Sequence, residues 1–232
     1  MRGHAPAVRR AFAAPTTDQD FAAFAASQSG RIEEFPPSLS YPAGVVLFRQ
    51  GGSADEVFYL EHGLVKLVRL QPSGEETIVG LRSAGWFLGA AAVVLGRAYA
   101  VTALTVTPCG VARIRAAQFR QQLRSNGALS WRVHGMHSEE IYTEITRVAD
   151  DRSRSARERL ERFLEQLLPA LGASSDGRSV GIHVPLRQWE IAHLIGVTPQ
   201  YLCQLLHEME GEGVIRREGN VLSLCGTRVG GR

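Results

Sequence analysis

Lysine is almost missing from this chain. Of its 232 residues 26 are basic, yet only Lys66 is a lysine and the other 25 are arginines, so most cationic contacts are planar and fork-shaped. Cysteine is scarce as well, and the three present (Cys109, Cys203 and Cys225) form no CxxC pair. Three separated cysteines exclude a disulfide scaffold, and we interpret them as reduced thiols of a cytoplasmic protein.

Long apolar runs are also absent. No stretch approaches the roughly 18 to 20 apolar residues that cross a bilayer, so we expect no membrane partner. Residues 1–16 are rich in Ala and Arg and hold no acid. Because they lack the uncharged core of a secretion signal, we interpret them as a disordered leader, with a transit peptide as the alternative. The formal charge of +3, with a pI of about 9.0, is compatible with a polyanionic partner but does not require one.

What is present changes character along the chain. Thr17–Ser29 has the capping residue and spacing of a short helix. From Tyr41 to about Ile114, runs rich in β-branched and aromatic residues alternate with glycine turns, which predicts a jelly roll or sandwich of seven or eight strands. The predicted strands are Val45–Phe48, Val57–Leu60, Leu64–Leu70, Thr77–Leu81, Trp86–Leu88, Tyr99–Thr105 and Val111–Ile114. The glycines expected to reach positive φ in the turns are Gly51, Gly52, Gly63, Gly74, Gly85, Gly89 and Gly96.

The next region is helical. A short helix is predicted over Ala116–Arg124 and a long one from Leu129 to Ala149. Apolar residues of the long helix approximate a coiled-coil seam with one slip beside Gly135, so we predict that two copies pair along it as a homodimer. The alternative is an amphipathic helix that packs on its own roll. The predicted dimer seam consists of Leu129, Val133, Met136, Ile141, Ile145 and Val148.

The most specific stretch lies between residues 186 and 224. Thr198 can cap a helix whose first residue is Pro199, where a missing N–H has no cost. Helix, turn, helix and β-ribbon together describe a winged helix-turn-helix, which binds double-stranded DNA. The predicted elements are helix Gln188–Ile195, turn Gly196–Thr198, helix Pro199–Glu210 and the two wing strands Val214–Arg217 and Val221–Leu224.

The predicted fold class is α+β. An N-terminal β-roll (a double-stranded jelly roll) precedes a long dimerisation helix and a C-terminal winged helix-turn-helix. A polar stretch without core residues, 150–155, marks the boundary before the last part. We divide the chain into a disordered leader (1–16), an effector-type β-roll domain (17–125), a dimerisation helix (126–150) and a winged-helix DNA-binding domain (151–232).

Five short motifs accompany this order of elements. They are Tyr41–Gly51, Phe58–Leu60 followed by Gly63, Phe87–Gly89, Thr107–Cys109 and Trp189–Gly196. With the long helix they resemble the cyclic-AMP receptor and fumarate–nitrate regulator (CRP/FNR) family of bacterial transcription factors, over about residues 40 to 226. The resemblance implies a roll that binds an effector and RNA polymerase as a further partner. It also implies that an effector shifts conformational populations at the hinge 150–154.

The sequence departs from this family where relatives bind a cyclic nucleotide. By resemblance, Ala90 replaces a glutamate that holds the ribose hydroxyl, and Tyr99 replaces an arginine that holds the cyclic phosphate. Glu144 of the long helix repels an anion that favours a charge-assisted partner, so we do not expect cyclic AMP as the ligand. Arg97 is the alternative phosphate partner. The degenerate effector pocket comprises Gly89, Ala90, Ala91, Arg97, Tyr99, Ala100, Glu144 and Ile145.

Other cofactors of the family leave few traces. An iron–sulfur member needs four cysteines, mostly ahead of the roll, and the leader has none, so no iron–sulfur cluster is expected. Haem stays open, because His62, Cys109, His134 and His137 are candidate axial donors without a required spacing. We favour a buried hydrophobic role for Cys109 and solvent-facing roles for His134 and His137, and we predict no metal site.

The second helix of the winged unit is expected to enter the major groove. It has no lysine or arginine but carries Gln200 and Gln204, and glutamine can pair twice with adenine. We therefore predict adenine in a half-site where relatives read guanine. The alternative is that both amides face only water. The predicted base-reading residues are Pro199, Gln200, Tyr201 and Gln204, and the predicted phosphate contacts are Arg187, Gln188, Thr198, His207, Arg216 and Arg217.

An enzyme is not expected. A cupin-type oxygenase needs two or three histidines and a carboxylate on neighbouring strands, and the roll region offers His62 alone. No Gly-x-Ser-x-Gly, P-loop or Rossmann glycine pattern occurs. Two alternatives to a regulator without cyclic AMP stay open. One is a regulator of the same family that senses haem or another small ligand, and the other is a roll-based protein-interaction or regulatory subunit that does not act through DNA.

Overall fold

The computed structural model describes residues 35–150, 154–171, 180–218 and 221–224. The predicted leader and the predicted helix Thr17–Ser29 lie outside these residues. The described chain forms an antiparallel β-roll, a set of helices and a winged helix-turn-helix, in that order. This confirms the predicted α+β class.

Eight short strands build the roll, and all of their pairings are antiparallel. The strands are β1 (Leu39–Tyr41), β2 (Val46–Phe48), β3 (Glu56–His62), β4 (Val65–Leu70), β5 (Glu76–Arg82), β6 (Phe87–Leu88), β7 (Thr102–Thr105) and β8 (Cys109–Arg115).

These strands form two four-stranded sheets that enclose one apolar core. One sheet has the order β1-β8-β3-β6 and the other the order β2-β7-β4-β5. Alternate residues of each strand point inward, so both sheets contribute to the same cluster. Its buried members are Phe48, Phe58, Leu60, Val65, Leu88, Tyr99, Ala103, Cys109 and Val111.

The roll differs from its sequence-based prediction in four places. A strand, β1, precedes the first predicted one. Residues Ala90–Leu95 form a helix, α1, between Gly89 and Gly96, which both have positive φ, because alanine favours helix and the glycines set its ends. Strand β7 begins only at Thr102, so Tyr99 and Ala100 lie ahead of it. Of the predicted turn glycines, Gly52 alone does not reach positive φ.

Two helices follow the roll, α2 (Ala116–Ser125) and the long α3 (Gly127–Asp150). The first half of α3 packs on its own roll, where Leu129 and Val133 are buried. Arg132 Nη2 donates to Tyr59 Oη at 2.9 Å, and its guanidinium lies over the rings of Tyr59 and Phe87. The alternative of a helix packed on its own roll therefore applies to this half.

The second half of α3 leaves the roll and exposes large apolar side chains. Ile141, Tyr142 and Ile145 are each more than 60% exposed. The predicted dimer seam is thus divided, because Leu129 and Val133 are buried within one chain while Ile141 and Ile145 are free to contact another. The side chain of Val148 lies outside the described ones, and pairing of two copies stays a prediction.

The winged unit follows, and its helices share one core. An additional strand, β9, which the sequence did not predict, completes an antiparallel wing sheet of order β10-β11-β9. The elements are α4 (Ala156–Ala170), β9 (Val180–His183), α5 (Gln188–Leu194), α6 (Pro199–Gly211), β10 (Ile215–Glu218) and β11 (Val221–Leu224). Buried residues of the core include Leu160, Leu164, Leu167, Ile191, Ile195, Leu202, Leu205, Leu206 and Met209.

Candidate functional sites

The first turns of α6 present a polar face to solvent. Thr198 Oγ1 caps the helix by accepting the N–H of Tyr201 at 3.2 Å, and Pro199 takes the first helical position. The opposite face is buried in the winged-unit core, which fixes the rotation of the helix about its axis. All four predicted base-reading residues are exposed together on this face: Pro199, Gln200, Tyr201 and Gln204.

One of these predicted base-reading residues, Gln204, already has a hydrogen-bond partner. Gln204 Nε2 donates to Glu208 Oε1 at 2.9 Å, one turn further along α6. Cys203 and His207 are exposed beside them. The exposed face of α6 is therefore polar, and it includes the acid Glu208, which was not among the predicted site residues.

The predicted phosphate contacts lie on or beside α5, α6 and β10. Arg187 and Gln188 are exposed at the start of α5, and Arg216 is exposed on β10. Thr198 uses an oxygen lone pair for the cap, so its hydroxyl proton stays available to a phosphate. His207 is exposed too, whereas Arg217 lies on β10 with its side chain outside the described ones.

Tyr99, one of the predicted pocket residues, lies in the core of the roll. The Tyr99 ring stacks on Phe48 with centroids 4.1 Å apart, and its hydroxyl donates to the Glu56 carbonyl oxygen at 2.6 Å. Burial raises the pKa of the Tyr99 phenol, and the Glu56 carbonyl opposes this shift. Tyr99 is thus a neutral, buried core residue.

The neighbouring pocket positions differ in their environments, and Gly89 lies against this ring. Gly89 has φ near +81°, and a Cβ there would lie 2.7 Å from Tyr99 Cε1. Ala90 is buried at the start of α1, whereas Ala91, Arg97 and Ala100 are exposed. The exposed position of Arg97 gives it no role inside the roll in this conformation.

Glu144 and Ile145 are both exposed on the second half of α3. Glu144 lines a cavity of about 580 Å³. The effector pocket predicted from the sequence contained Glu144 but not the other residues that line this cavity. This cavity lies between the strands β4 and β5 and the helices of the winged unit. Its lining includes Leu64 and Gly80 from the roll and Phe163 and His193 from the winged unit.

The candidate haem donors occupy separate environments. The Cys109 thiol is buried, donates to the carbonyl oxygens of Leu64 and Thr107, and has a pKa raised by burial. His134 is exposed with its ring 6.1 Å from that of Trp131, and His137 is half-buried. His62 is exposed. Across the described ranges, no three potential metal ligands come together.

Sequence reasoning missed a buried contact between the roll and the winged unit. Lys66 Nζ on β4 lies 2.5 Å from Glu190 Oε1 on α5. The available signals were that Lys66 is the only lysine and that Glu190 stands at the third helical position of α5. Neither signal identifies the partner, because the two residues are 124 positions apart.

Two family models match the two parts of the chain. The cyclic nucleotide-binding domain matches residues 38–126, and the Crp-like helix-turn-helix domain matches residues 158–225. These ranges correspond to the roll and the winged unit. They define the class of protein: a transcription regulator in which a roll of the cyclic-nucleotide-binding type precedes a helix-turn-helix DNA-binding domain, and not an enzyme.

Curated relatives and solved structures agree with this class. The global nitrogen regulator of Synechocystis sp. is 28% identical over 204 residues and covers 85% of each chain. The cAMP-activated global transcriptional regulator CRP of Salmonella typhimurium is 22% identical over 189 residues, 81% of this chain and 89% of the relative. The chain belongs to the CRP/FNR family of bacterial transcription regulators.

Solved structures share the fold along most of the chain. The c-di-GMP-responsive regulator CLP of Xanthomonas campestris superposes with a TM-score of 0.68 at 18% identity, over 88% of this chain and 100% of that one. FixK2 of Bradyrhizobium japonicum gives 0.68 at 16% identity, over 82% and 92%. No helix in the part of the chain that the structure describes is long and apolar enough to cross a membrane.

Proposed function

We propose that this regulator binds DNA as a sequence-specific homodimer and that its roll does not hold cyclic AMP. The observation that carries the DNA-binding part is the exposed polar face at the start of α6. Its glutamines are aimed away from the core by a capped helix, so a DNA groove can reach them without rearrangement of the fold.

Base reading falls to the two glutamine amides. A glutamine offers one acceptor and one donor, which matches the N6 and N7 atoms of adenine in the major groove. Gln200 and Gln204 are four residues apart on one helix face, so they address neighbouring base pairs. We therefore expect a half-site that contains adenine opposite these side chains.

The exposed half of α3 supports a homodimer. Ile141, Tyr142 and Ile145 are large apolar side chains open to water, and Trp131 is exposed on the same side of the helix. A strip of exposed large apolar side chains of this kind marks an interaction surface. Two copies related by a two-fold axis bury the same strip on both sides, which also places two recognition helices on a two-fold repeated site.

The filled roll supports the absence of cyclic AMP binding. A cyclic phosphodiester carries a charge that needs a cationic or well-placed polar partner. Tyr99 instead presents a buried aromatic ring whose hydroxyl is already used by the Glu56 carbonyl. Ala90 has no polar side-chain atom for a sugar hydroxyl.

Selection from a random double-stranded library tests the DNA-binding proposal directly. We expect the full chain to enrich a two-fold repeated site with adenine in each half-site, and to run as a dimer on that site in a native gel. Recovery of no common sequence contradicts DNA recognition. A selected site without repeated halves contradicts the homodimer.

Titration calorimetry tests the roll. We expect no heat of binding when cyclic AMP is added to submillimolar concentration. Saturable binding in that range contradicts the assignment of Tyr99 as a core residue that replaces the phosphate contact. The same titration in the presence of DNA shows whether cyclic AMP binds only to the protein–DNA complex.

RNA polymerase is the further partner that we propose for this regulator. The curated relatives are named as transcriptional regulators, and a regulator of this kind acts in the compartment that holds the chromosome, the bacterial cytoplasm. Reconstituted transcription from a promoter that contains the selected site measures whether the bound chain changes initiation. An unchanged transcript yield at saturating occupancy contradicts a role in transcription.

A further inference from the structure

Among the described residues, an ion pair ties the roll to helix α5 of the winged unit. Lys66 Nζ lies 2.5 Å from Glu190 Oε1, and only 19% of the lysine side chain and 4% of the glutamate side chain are exposed. The ion pair Arg113–Glu56 offers a contrast, because it lies within the roll and leaves 48% of the arginine side chain exposed. Lys66–Glu190 therefore stands out by its burial and by the parts of the chain it connects.

The same glutamate also organises the start of α5. Glu190 Oε2 accepts the N–H of Arg187 at 2.7 Å, so the carboxylate closes the first turn of the helix with one oxygen and receives Lys66 with the other. A lysine of the roll is thereby connected directly to the geometry of the first turn of α5.

Apolar contacts surround the ion pair. Leu64, two residues before Lys66, is buried in the winged-unit core rather than in the core of its own roll. Leu81 and Val106 of the roll pack against the same cluster. The described residues from Phe35 onward accordingly belong to one compact unit.

A charge pair adds to this contact something that apolar packing lacks. Apolar surfaces tolerate sliding, because the hydrophobic effect is not directional. An ion pair with one buried partner has a narrow range of favourable geometries, since displacement leaves a desolvated charge without its counter-ion. The pair therefore fixes the register between the roll and α5.

The position of α5 determines the position of α6. Ile191 of α5 and Leu202 and Leu206 of α6 belong to one buried cluster, and the N–H of Val197 donates to the carbonyl oxygen of Ala192 across the turn. The reading face of α6 is exposed while the ion pair is made. The contact is thus compatible with bound DNA.

We infer that Lys66 and Glu190 form a positioning contact that holds the DNA-reading helix α6 in register with the roll in the state that binds DNA. This inference rests on the proposed DNA-binding function. The roll then acts on DNA through one buried amine and one helix-capping carboxylate, whatever occupies the roll or the dimer surface.

A set of variants tests the role in binding. Lys66→Met removes the amine, and Glu190→Gln removes the charge but keeps an acceptor for the Arg187 N–H, since glutamine also fits a capping box. We expect each to weaken affinity for the selected DNA by about tenfold, and the double variant Lys66→Met/Glu190→Gln to be no weaker than the weaker single variant. Lys66→Arg keeps the charge and is expected to restore most of the affinity.

Arg113→Met is the control, because it breaks a more exposed ion pair that lies entirely within the roll. We expect it to leave DNA affinity within about twofold of the unchanged chain. Thermal unfolding accompanies every variant, and if Lys66→Met does not fold, Glu190→Gln and Lys66→Arg still decide the question. Unchanged affinity in Glu190→Gln, or additive losses in the double variant, overturn the positioning role.

The single lysine permits a readout that does not need DNA. Lys66 carries the only side-chain amine in this protein, so an amine-directed acetylating reagent has one lysine to modify, and peptide mass spectrometry separates it from the α-amine. We expect Lys66 in the native chain to react about tenfold more slowly than in urea, and Glu190→Gln to remove most of that protection. Equal rates in Glu190→Gln and the unchanged chain show that the pair does not protect Lys66 and overturn the inference.

The same reaction distinguishes a positioning contact from an inhibitory one. With the selected DNA bound, we expect Lys66 to react no faster than in the free chain. Faster reaction in the complex means that the pair opens when DNA binds, which overturns the inference in favour of a contact that restrains binding. Failure of the unchanged chain to select any DNA contradicts the proposed function itself, and is recognised before any variant is compared.

Discussion

The amide of Gln204 has a partner before any DNA arrives. Its Nε2 donates to Glu208 Oε1 at 2.9 Å, and both residues are exposed on α6. To read adenine, Gln204 must exchange this bond for one to the base, and the carboxylate of Glu208 then faces a polyanion. Glu208 therefore opposes the proposed contact between Gln204 and adenine.

Two substitutions should act in opposite directions at this site. We expect Glu208→Ala to tighten binding to the selected site by about fivefold, since it releases one hydrogen bond and one negative charge. We expect Gln204→Ala to cost about 1–3 kcal/mol on that site and almost nothing on a site with the adenine replaced. Fluorescence anisotropy on both sites measures this.

Glu165→Ala on α4 is the control for Glu208→Ala, because it removes an exposed acid away from the reading face. It should leave affinity nearly unchanged. Equal losses of Gln204→Ala on both sites would falsify the base-reading role.

Tyr99 should behave as a core residue. Tyr99→Phe removes the hydrogen bond to the Glu56 carbonyl and is expected to lower the free energy of unfolding by about 1 kcal/mol. Tyr99→Ala also removes the stack on Phe48, and we expect a loss of about 3–5 kcal/mol. Urea unfolding measures both, with exposed Tyr201→Phe as a neutral control. Wild-type stability in Tyr99→Ala contradicts a core role.

At the scale of elements, the role of the apolar residues of α3 was only partly predicted from the sequence. Steps of three and four keep residues on one side of a helix, but the step of five from Met136 to Ile141 rotates the side chain by about 140° beyond a full turn. Leu129 and Val133 therefore face the roll, and Ile141 and Ile145 face solvent. One apolar pattern serves two different surfaces.

These two surfaces should respond differently to substitution. We expect Ile141→Asp/Ile145→Asp to convert a dimer into a folded monomer, because it places four charges in a two-fold interface. Leu129→Ala should instead destabilise the chain by about 2–5 kcal/mol without weakening association. Sedimentation velocity and urea unfolding separate the two. A stable dimer of the double Asp variant shows that the partner surface lies elsewhere.

His137, on α3, is expected to make the free energy of unfolding depend on pH. Burial lowers its pKa, with Glu140 opposing the shift and His134 and Arg82 adding to it. The folded chain therefore prefers the neutral imidazole, and the unfolded chain binds the proton first as pH falls through about 6.5. We expect the free energy of unfolding to decrease over this range, and to decrease less in His137→Gln.

Exposed His193→Gln is the control for this pH dependence, and it should leave the dependence unchanged. The urea midpoint measured from pH 7.5 down to pH 5 follows the effect. If His137→Gln and the unchanged chain lose stability in parallel, the buried imidazole is not its source.

The elements best predicted from sequence are those with local signals. Helix α6 has its cap, its proline and its preceding glycine within four residues, so its start was predicted at the residue where it begins. Helix α1 was missed because Gly89, Ala90 and Ala91 were interpreted only as lost ligand contacts, although alanines between two glycines favour a short helix. Local sequence signals were sufficient to predict a helix wherever they were interpreted as structural signals.

Non-local contacts could not be obtained in the same way. Nothing in the sequence around Lys66 names Glu190 as its partner, and nothing around Tyr99 shows that its ring reaches Phe48. Both contacts depend on the closure of the roll and on the packing of the winged unit against it. The sequence therefore placed single residues on their elements more completely than it predicted the partners of those residues.

At the scale of the whole molecule, charge is a poor guide to the DNA surface. Residues 153–232 hold ten arginines and nine acids, so the DNA-binding part is nearly neutral despite the basic pI of the chain. Arg187, Arg216 and Arg217 are the expected cationic phosphate contacts of each protomer. Binding should accordingly depend on a few placed charges rather than on a broad basic field.

This arrangement predicts a shallow salt dependence. Three arginines from each protomer neutralise six phosphates in a dimer, which gives a slope of log K against log salt of about −5. Arg187→Ala should reduce the magnitude of the slope by about 2, and Arg113→Ala on the roll should leave it unchanged. Titrations between 50 and 300 mM salt provide the measurement. A much steeper slope in the unchanged chain would reveal cationic contacts beyond these three.

The close approach of Gly89 to the Tyr99 ring restricts the order in which this roll can change. Any side chain at position 89 meets both an unfavourable positive φ and a ring atom 2.7 Å away, so residue 89 cannot acquire a Cβ while the ring is present. A smaller residue at position 99 must come first, and it leaves a cavity beside Phe48. The two positions therefore form an epistatic pair, and any route to a side chain at position 89 passes through a less stable roll.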